Sequence, residues 1–317
     1  MSRTTAAVVI SILLAIAGYI AVIAWSGSET TWTTMRSMSL SAWLAVLGLS
    51  LANYLSRYAR WDRYIRSLHR ERVPAGTHVI IYFAGFALTT TPGKAGEAIR
   101  SVLLKRYYAV DYAKSLSALF VERLMDLLSV LIIVILVMPS MTDSNLRTAA
   151  VLLASIIIVT LPLLHHRGFL AALTRRARRL PGRVRRLALH TLALIKSSAS
   201  LLKNRNLYTG LALGIAAWTF EGIGLYLIAD ALQLDIAVGT AIGIYGVATL
   251  IGALSMVPGG LGGTEISMVA LLSAAGADHA TATAATLICR IASLWFAVGL
   301  GFVSLAWLAQ HGMRGSE

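Results

Sequence analysis

Charge is scarce in this chain: Asp, Glu, Lys and Arg together make 13% of its 317 residues, against 57% hydrophobic residues and a mean hydropathy of +0.73. A soluble domain carries about 25% charged residues, so the composition excludes one and points to a polytopic membrane protein. Acid is scarcer than base, with 14 Asp and Glu against 28 Lys and Arg and a net charge of +14. That excess falls between apolar runs, where Lys and Arg hold loops in the cytoplasm and meet anionic lipid, so no nucleic-acid partner is read from it. A single cysteine, Cys289, excludes an intrachain disulfide framework. It lies within an apolar run and reads as a packed small residue.

Catalytic patterns are missing too. Thr91-Pro92-Gly93-Lys94-Ala95 resembles a phosphate loop only faintly, because the required first glycine would fall at Leu88 and Ala95 replaces the hydroxyl residue after lysine. Gly260-Leu261-Gly262-Gly263 lacks the βαβ context of a dinucleotide loop. No His-Glu-x-x-His or Cys pair with metal spacing occurs, and His165-His166 sit at a run end beside Arg167, an interfacial place. No segment is large enough for a soluble synthase or nucleotide-hydrolysing domain. The expectation is therefore a protein that is not an enzyme and takes no metal and no cofactor.

What is present is a set of apolar runs. Residues 6–25, 40–57, 115–138, 147–165, 207–229 and 281–309 each approach the roughly 20 residues that an apolar helix needs to cross a bilayer. A Val22-x-Ala24 site would allow cleavage after the first run, but its length suits a retained span. Two further regions, 79–105 and 238–276, are broken at Pro92-Gly93 and Pro258-Gly259 and read as re-entrant helical hairpins. Loop charge alternates accordingly. Residues 57–72 carry six arginines and are read as a cytoplasmic loop, and 167–205 hold eleven Lys or Arg and no acid. The chain thus divides into a first repeat, 1–138, and a second, 147–309, each with three crossings and one hairpin. An odd number of crossings inverts the second copy, the plan by which secondary transporters build alternating access. Both termini are expected in the cytoplasm, with the chain in the inner, cytoplasmic membrane. In 167–205, basic residues alternate with leucines around Pro181-Gly182, which fits either an amphipathic helix pair on an anionic leaflet or a topological determinant alone.

The two breaks resemble one another closely. Pro92 to Arg123 is 31 residues and Pro258 to Arg290 is 32. A helix opening after Pro-Gly offers free N–H groups and a positive dipole end, which favour phosphate or carboxylate. Lys94 adds a full charge there. Gly93, Gly96, Gly259, Gly260 and Gly262 allow tight turning and close approach. Glu97 and Glu265 fall in first turns, where an acid suits the dipole with no other duty. Charges within the spans are costly and mark a cavity or a buried pair. Glu122 and Asp126 share a helical face, Arg123 and Asp126 stand three apart and can meet, and Arg290 lies in the last run. Lys94, Arg100, Arg123 and Arg290 are candidates for binding an anionic or zwitterionic lipid headgroup. Glu97, Glu122, Asp126 and Glu265 are candidates for balancing those charges or carrying a coupling proton. A transferase using Glu97 or Glu265 as general base is the enzymatic alternative, and a scaffold binding partners through 167–205 is a third.

Pro92-Gly93-Lys94-Ala95-Gly96-Glu97-Ala98-Ile99-Arg100, Glu122-Arg123-x-x-Asp126 and Pro258-Gly259-Gly260-Leu261-Gly262 with Thr264-Glu265 resemble the lysylphosphatidylglycerol synthase transmembrane-region family. The resemblance covers nearly the whole chain. It implies a flippase-like, all-α membrane domain that moves phospholipid between leaflets, in a stand-alone member without the aminoacyl-transferring domain. A membrane phospholipid, and a separate lipid-modifying synthase, are the partners it implies. Some relatives are associated with polyprenyl-linked sugars, so the lipid class stays open.

Overall fold

In hydrocarbon every backbone N–H and C=O must be satisfied within its own segment, and apolar runs therefore fold as helices. A computed structural model describes residues 28–69, 71, 73–91, 96–137, 167–255 and 257–311, and among these every regular element is helical. The expected runs 6–25 and 147–165, the first tip with Pro92, Gly93 and Lys94, and His165-His166 lie outside the described residues.

Helix α1, Ser28–Ser37, turns sharply into α2, Leu40–Leu68, at an angle of 88° between the two. The Ser39 hydroxyl accepts from the Ala42 N–H at 3.3 Å and so starts α2. Next come α3, Ala75–Ala84, with a 3₁₀ extension at Gly85–Leu88, then α4, Ile99–Tyr108, and α5, Tyr112–Val137. The basic stretch folds as α6, Arg167–Arg178, and α7, Gly182–Leu201. It is followed by α8, Asn204–Ala231, then α9, Val238–Leu254, and α10, Gly263–Ala274. Last come α11, His279–Arg290, a π turn at Ile291–Trp295 and α12, Phe296–His311. Asp278 caps α11, its carboxylate accepting from the N–H groups of Ala280 and Thr281 at 2.9 and 3.1 Å. Residues Arg205–Ala231 and His279–His311 are long and apolar enough to cross a membrane, and the bent α1–α2 pair makes a third such unit. The chain is an all-α polytopic membrane protein.

One expectation fails. The arginines from residue 57 onward are not a loop: α2 runs on to Leu68, and Arg57 and Arg60 are buried inside the protein. No proline or glycine interrupts residues 57–68. Tyr54, Arg57, Trp61, Tyr64 and Ile65 recur at helical spacing on the face that packs inward. Counting basic residues treats every arginine as hydrated, and two of these are neutralised by acids on α5 instead.

The helices pack reciprocally. α2 lies along α8, the arms α3 and Gly85–Leu88 lie against α12, and α9 lies against α5. Each broken region therefore docks on the last helix of the opposite half. Gly301 permits the closest of these approaches, since a Cβ there would run into the backbone of Ala87 and Phe86. Helices α6 and α7 turn their apolar stripes toward each other, with Leu170, Ala177 and Leu192 buried between them and Arg175, Arg176, Arg178 and Arg179 around the rim.

Candidate functional site

The charged residues gather around one cavity of about 390 Å³ between the two halves. Its wall is contributed by α2, the 3₁₀ turn after α3, α5, α8, α9, the Pro258 turn and α11. Leu127, Val130, Leu250 and Leu294 make much of it apolar. Arg57, Arg123, Arg290, Asp126 and Glu221 supply the charge.

On the first-half side the chemistry is a dense ion network. Arg123 reaches Glu97 at 3.0 Å, Glu122 at 3.1 Å and Asp126 at 3.3 Å. Arg100 bridges Glu97 at 2.5 Å and Glu122 at 3.0 Å, lying 4.6 Å from the ring centres of both Trp61 and Tyr82. Thr89 donates to Glu97 at 2.7 Å and Tyr82 to Glu122 at 2.8 Å. Asp126 accepts from Arg60 and, at 3.3 Å, from the Trp218 indole. Gly96 sits where a Cβ would strike Leu88 and Thr91, so only glycine closes the first turn this tightly.

On the second-half side Arg290 pairs with Glu265. Arg290 Nε donates to Glu265 at 2.7 Å, and Nη2 donates to the Gly259 carbonyl at 2.7 Å. Gly259, Gly260 and Gly262 take φ of 66°, 68° and 81°, left-handed values open to glycine at little cost. The turn closes because Gly252 on α9 has no side chain to collide with Thr264 on α10.

The sequence-derived candidates therefore separate into two groups. Arg123, Asp126, Arg290, Gly259 and Gly260 face the cavity. Glu97, Glu122 and Glu265 stand behind as partners of those arginines, and Arg100 is fully buried in the network away from the cavity wall. Gly262 is in the second turn but not on the wall.

Two charged residues of the cavity wall escaped sequence reasoning. Arg57, placed in a loop by charge counting, faces the cavity while only 6% exposed. Its Nε and Nη2 make no hydrogen bond among the described residues, and its carboxylates stand off at 3.4 and 3.6 Å. Buried donors in that condition are rare and call for a ligand, water or ion. Glu221 in α8 is the second; the overlooked signal was an acid in the middle of an otherwise apolar span.

A largely apolar cavity with guanidinium groups on its wall suits an anion, since Coulomb attraction and charge-assisted hydrogen bonds strengthen where water is excluded.

Comparison with known proteins agrees with this architecture. Residues 8–301 match the family described as Lysylphosphatidylglycerol synthase TM region. One UPF0104 membrane protein of Methanothermobacter thermautotrophicus is 25% identical over 307 residues, covering 90% of this chain and 88% of its own length. A second from that organism is 25% identical over 242 residues, covering 69% of this chain and 71% of its own. A UPF0104 membrane protein of Pyrococcus horikoshii is 22% identical over 307 residues, covering 87% and 90%.

Proposed function

Since the chain belongs to the lysylphosphatidylglycerol synthase TM region family, we propose that it is a lipid translocator, moving an anionic or zwitterionic phospholipid headgroup across the cytoplasmic membrane. The observation that carries this reading is Arg57: a buried guanidinium in loose ion pairs, whose Nε and Nη2 make no hydrogen bond among the described residues, on the wall of the shared cavity. The phosphate would accept from Arg57, with Arg123 and Arg290 beside it, while the acyl chains stay among lipid. Glu97, Glu122 and Glu265 hold Arg123 and Arg290 in place and offset their charge. The reciprocal docking of each broken region on the opposite half supports two copies in inverted arrangement; both termini would then lie in the cytoplasm.

The protein acts without changing covalent bonds. Both glutamates that a transferase would need as general base are engaged by arginine, Glu97 by Arg100 and Arg123 and Glu265 by Arg290. In vesicles reconstituted with the purified protein, labelled phosphatidylglycerol is expected to cross between leaflets with unchanged mass. Arg57→Ala, Arg290→Ala and Glu97→Gln are expected to abolish crossing. Full transfer by all three folded variants overturns the assignment, and a lipid of altered mass replaces it with the transferase.

A further inference from the structure

Five acids are buried among the described residues: Glu97, Glu122, Asp126, Glu221 and Glu265. Four of them have an arginine nitrogen within salt-bridge contact, at 2.5 Å for Glu97, 3.0 Å for Glu122, 2.7 Å for Glu265, and in the pair of Asp126 with Arg60. Glu221 is the exception. No Lys, Arg or His nitrogen of the described residues comes within 4.0 Å of it. Its partners are hydroxyls, Ser50 donating at 3.3 Å and Tyr245 from α9. Yet Glu221 lines the same cavity as Arg57. The groups that face it are Ser50, Tyr54 and Arg57 from α2, Tyr245 from α9, and Cys289 and Arg290 from α11.

We propose that Glu221 is the proton-binding site of the translocator, taking up one proton as an anionic headgroup settles at Arg57 and releasing it as the headgroup leaves. This rests on the headgroup reading above. An ionised carboxylate in a low-dielectric wall with no cation in contact is unfavourable. A phosphate arriving at Arg57 adds negative charge to the same small volume, so proton and anion favour each other's binding by an equal factor. The step is a simple association: the carboxylate oxygen gains a proton from the aqueous side to which the cavity is open, and one monoanionic headgroup plus one proton then cross with no net charge. The clamped acids cannot serve in this way without breaking an arginine pair. The coupling role thus moves from Glu97, Glu122, Asp126 and Glu265 to a residue the sequence pattern did not single out.

The position is telling. Glu221 precedes Pro258 by 37 residues, and Arg57 precedes Pro92 by 35. The paired helices α2 and α8 each bring one of these charges to the cavity wall, Arg57 and Glu221, so the halves differ there.

The test is calorimetric titration of the purified full chain in detergent with dihexanoyl phosphatidylglycerol, in buffers of different ionisation enthalpy, which counts protons per lipid bound. For the wild type the expected result is uptake approaching one proton per lipid, with affinity rising by up to about tenfold for each unit of falling pH. Glu221→Gln should still bind the lipid, without proton uptake and with flat pH dependence, and Glu221→Asp should restore uptake. Lipid binding without proton uptake in the wild type, or undiminished uptake in Glu221→Gln, overturns the proposal while leaving the headgroup site standing. No lipid binding by the wild type overturns the headgroup site and this proposal with it. If Glu221→Gln does not fold, infrared difference spectra decide. A protonated-carboxyl band must appear when lipid is added and shift in Glu221→Asp; its absence overturns the proposal.

Discussion

The two halves hold Glu97 and Glu265 alike and brace them differently. Glu97 pairs with Arg123, 26 residues on, and Glu265 pairs with Arg290, 25 residues on. In the first half that pair is embedded among Arg57, Arg60, Arg100, Glu122 and Asp126, with Trp61 and Tyr82 sealing it. In the second half Arg290 donates to the Glu265 carboxylate and to the Gly259 carbonyl. Buried ion pairs repay their desolvation only when every donor and acceptor is met. The first half falls short of that condition, since Arg57, Arg60, Arg123 and Asp126 each keep a buried atom without a hydrogen bond among the described residues. Glu265 Oε2 is likewise without a hydrogen bond there, so the halves differ in how many charges share the site rather than in how completely each is met.

Asp126→Ala should separate the halves most strongly. It leaves Arg60, fully buried, without its carboxylate, and a loss of about 3–5 kcal/mol of stability is expected, read as thermal unfolding in detergent. A cost below about 1 kcal/mol would mean that water reaches the network and that the contrast between halves is false. Gly252→Ala comes next. Its Cβ would collide with Thr264 and pry α9 from α10, at a cost of about 1–3 kcal/mol. Gly252→Ala with Thr264→Ser should recover nothing, because the colliding hydroxyl remains, whereas Thr264→Ala should rescue it.

Glu265→Gln tests the lean half directly. Arg290 keeps its bond to Gly259, so the stability loss should be about 1–3 kcal/mol while lipid transfer in vesicles is lost. The reverse pattern, intact transfer with a large stability loss, would make the second pair structural like the first. Arg66→Ala sets the floor. Its 2.7 Å pair with Asp62 stands 60% exposed on the arginine side, and about 0–1 kcal/mol is expected, although Arg66 lies on the same helix as Arg60.

Much of the site was legible in the sequence because hydrocarbon makes charge conspicuous. Arg123, Asp126 and Arg290 stood out within apolar runs and do line the cavity. The i, i+3 spacing of Arg123 and Asp126 foretold a contact that forms at 3.3 Å. Arg57 was not legible, since an arginine at the end of an apolar run has the same pattern whether hydrated in a loop or paired with acids 65 and 69 residues away at Glu122 and Asp126. Glu221 was available as a mid-span acid, but nothing local distinguishes an acid that meets an arginine from one that meets only hydroxyls.

By itself, then, the amino-acid order determined helices, breaks and the presence of costly charges, because these follow from local backbone chemistry and from hydropathy in a solvent that forbids unpaired polar groups. Only tertiary structure decided which charges neutralise one another and which face the cavity. Ion pairing depends on distances of a few ångströms between helices far apart in the chain, and those distances are set by packing, such as α2 on α8 and α12 on the arm ending at Leu88.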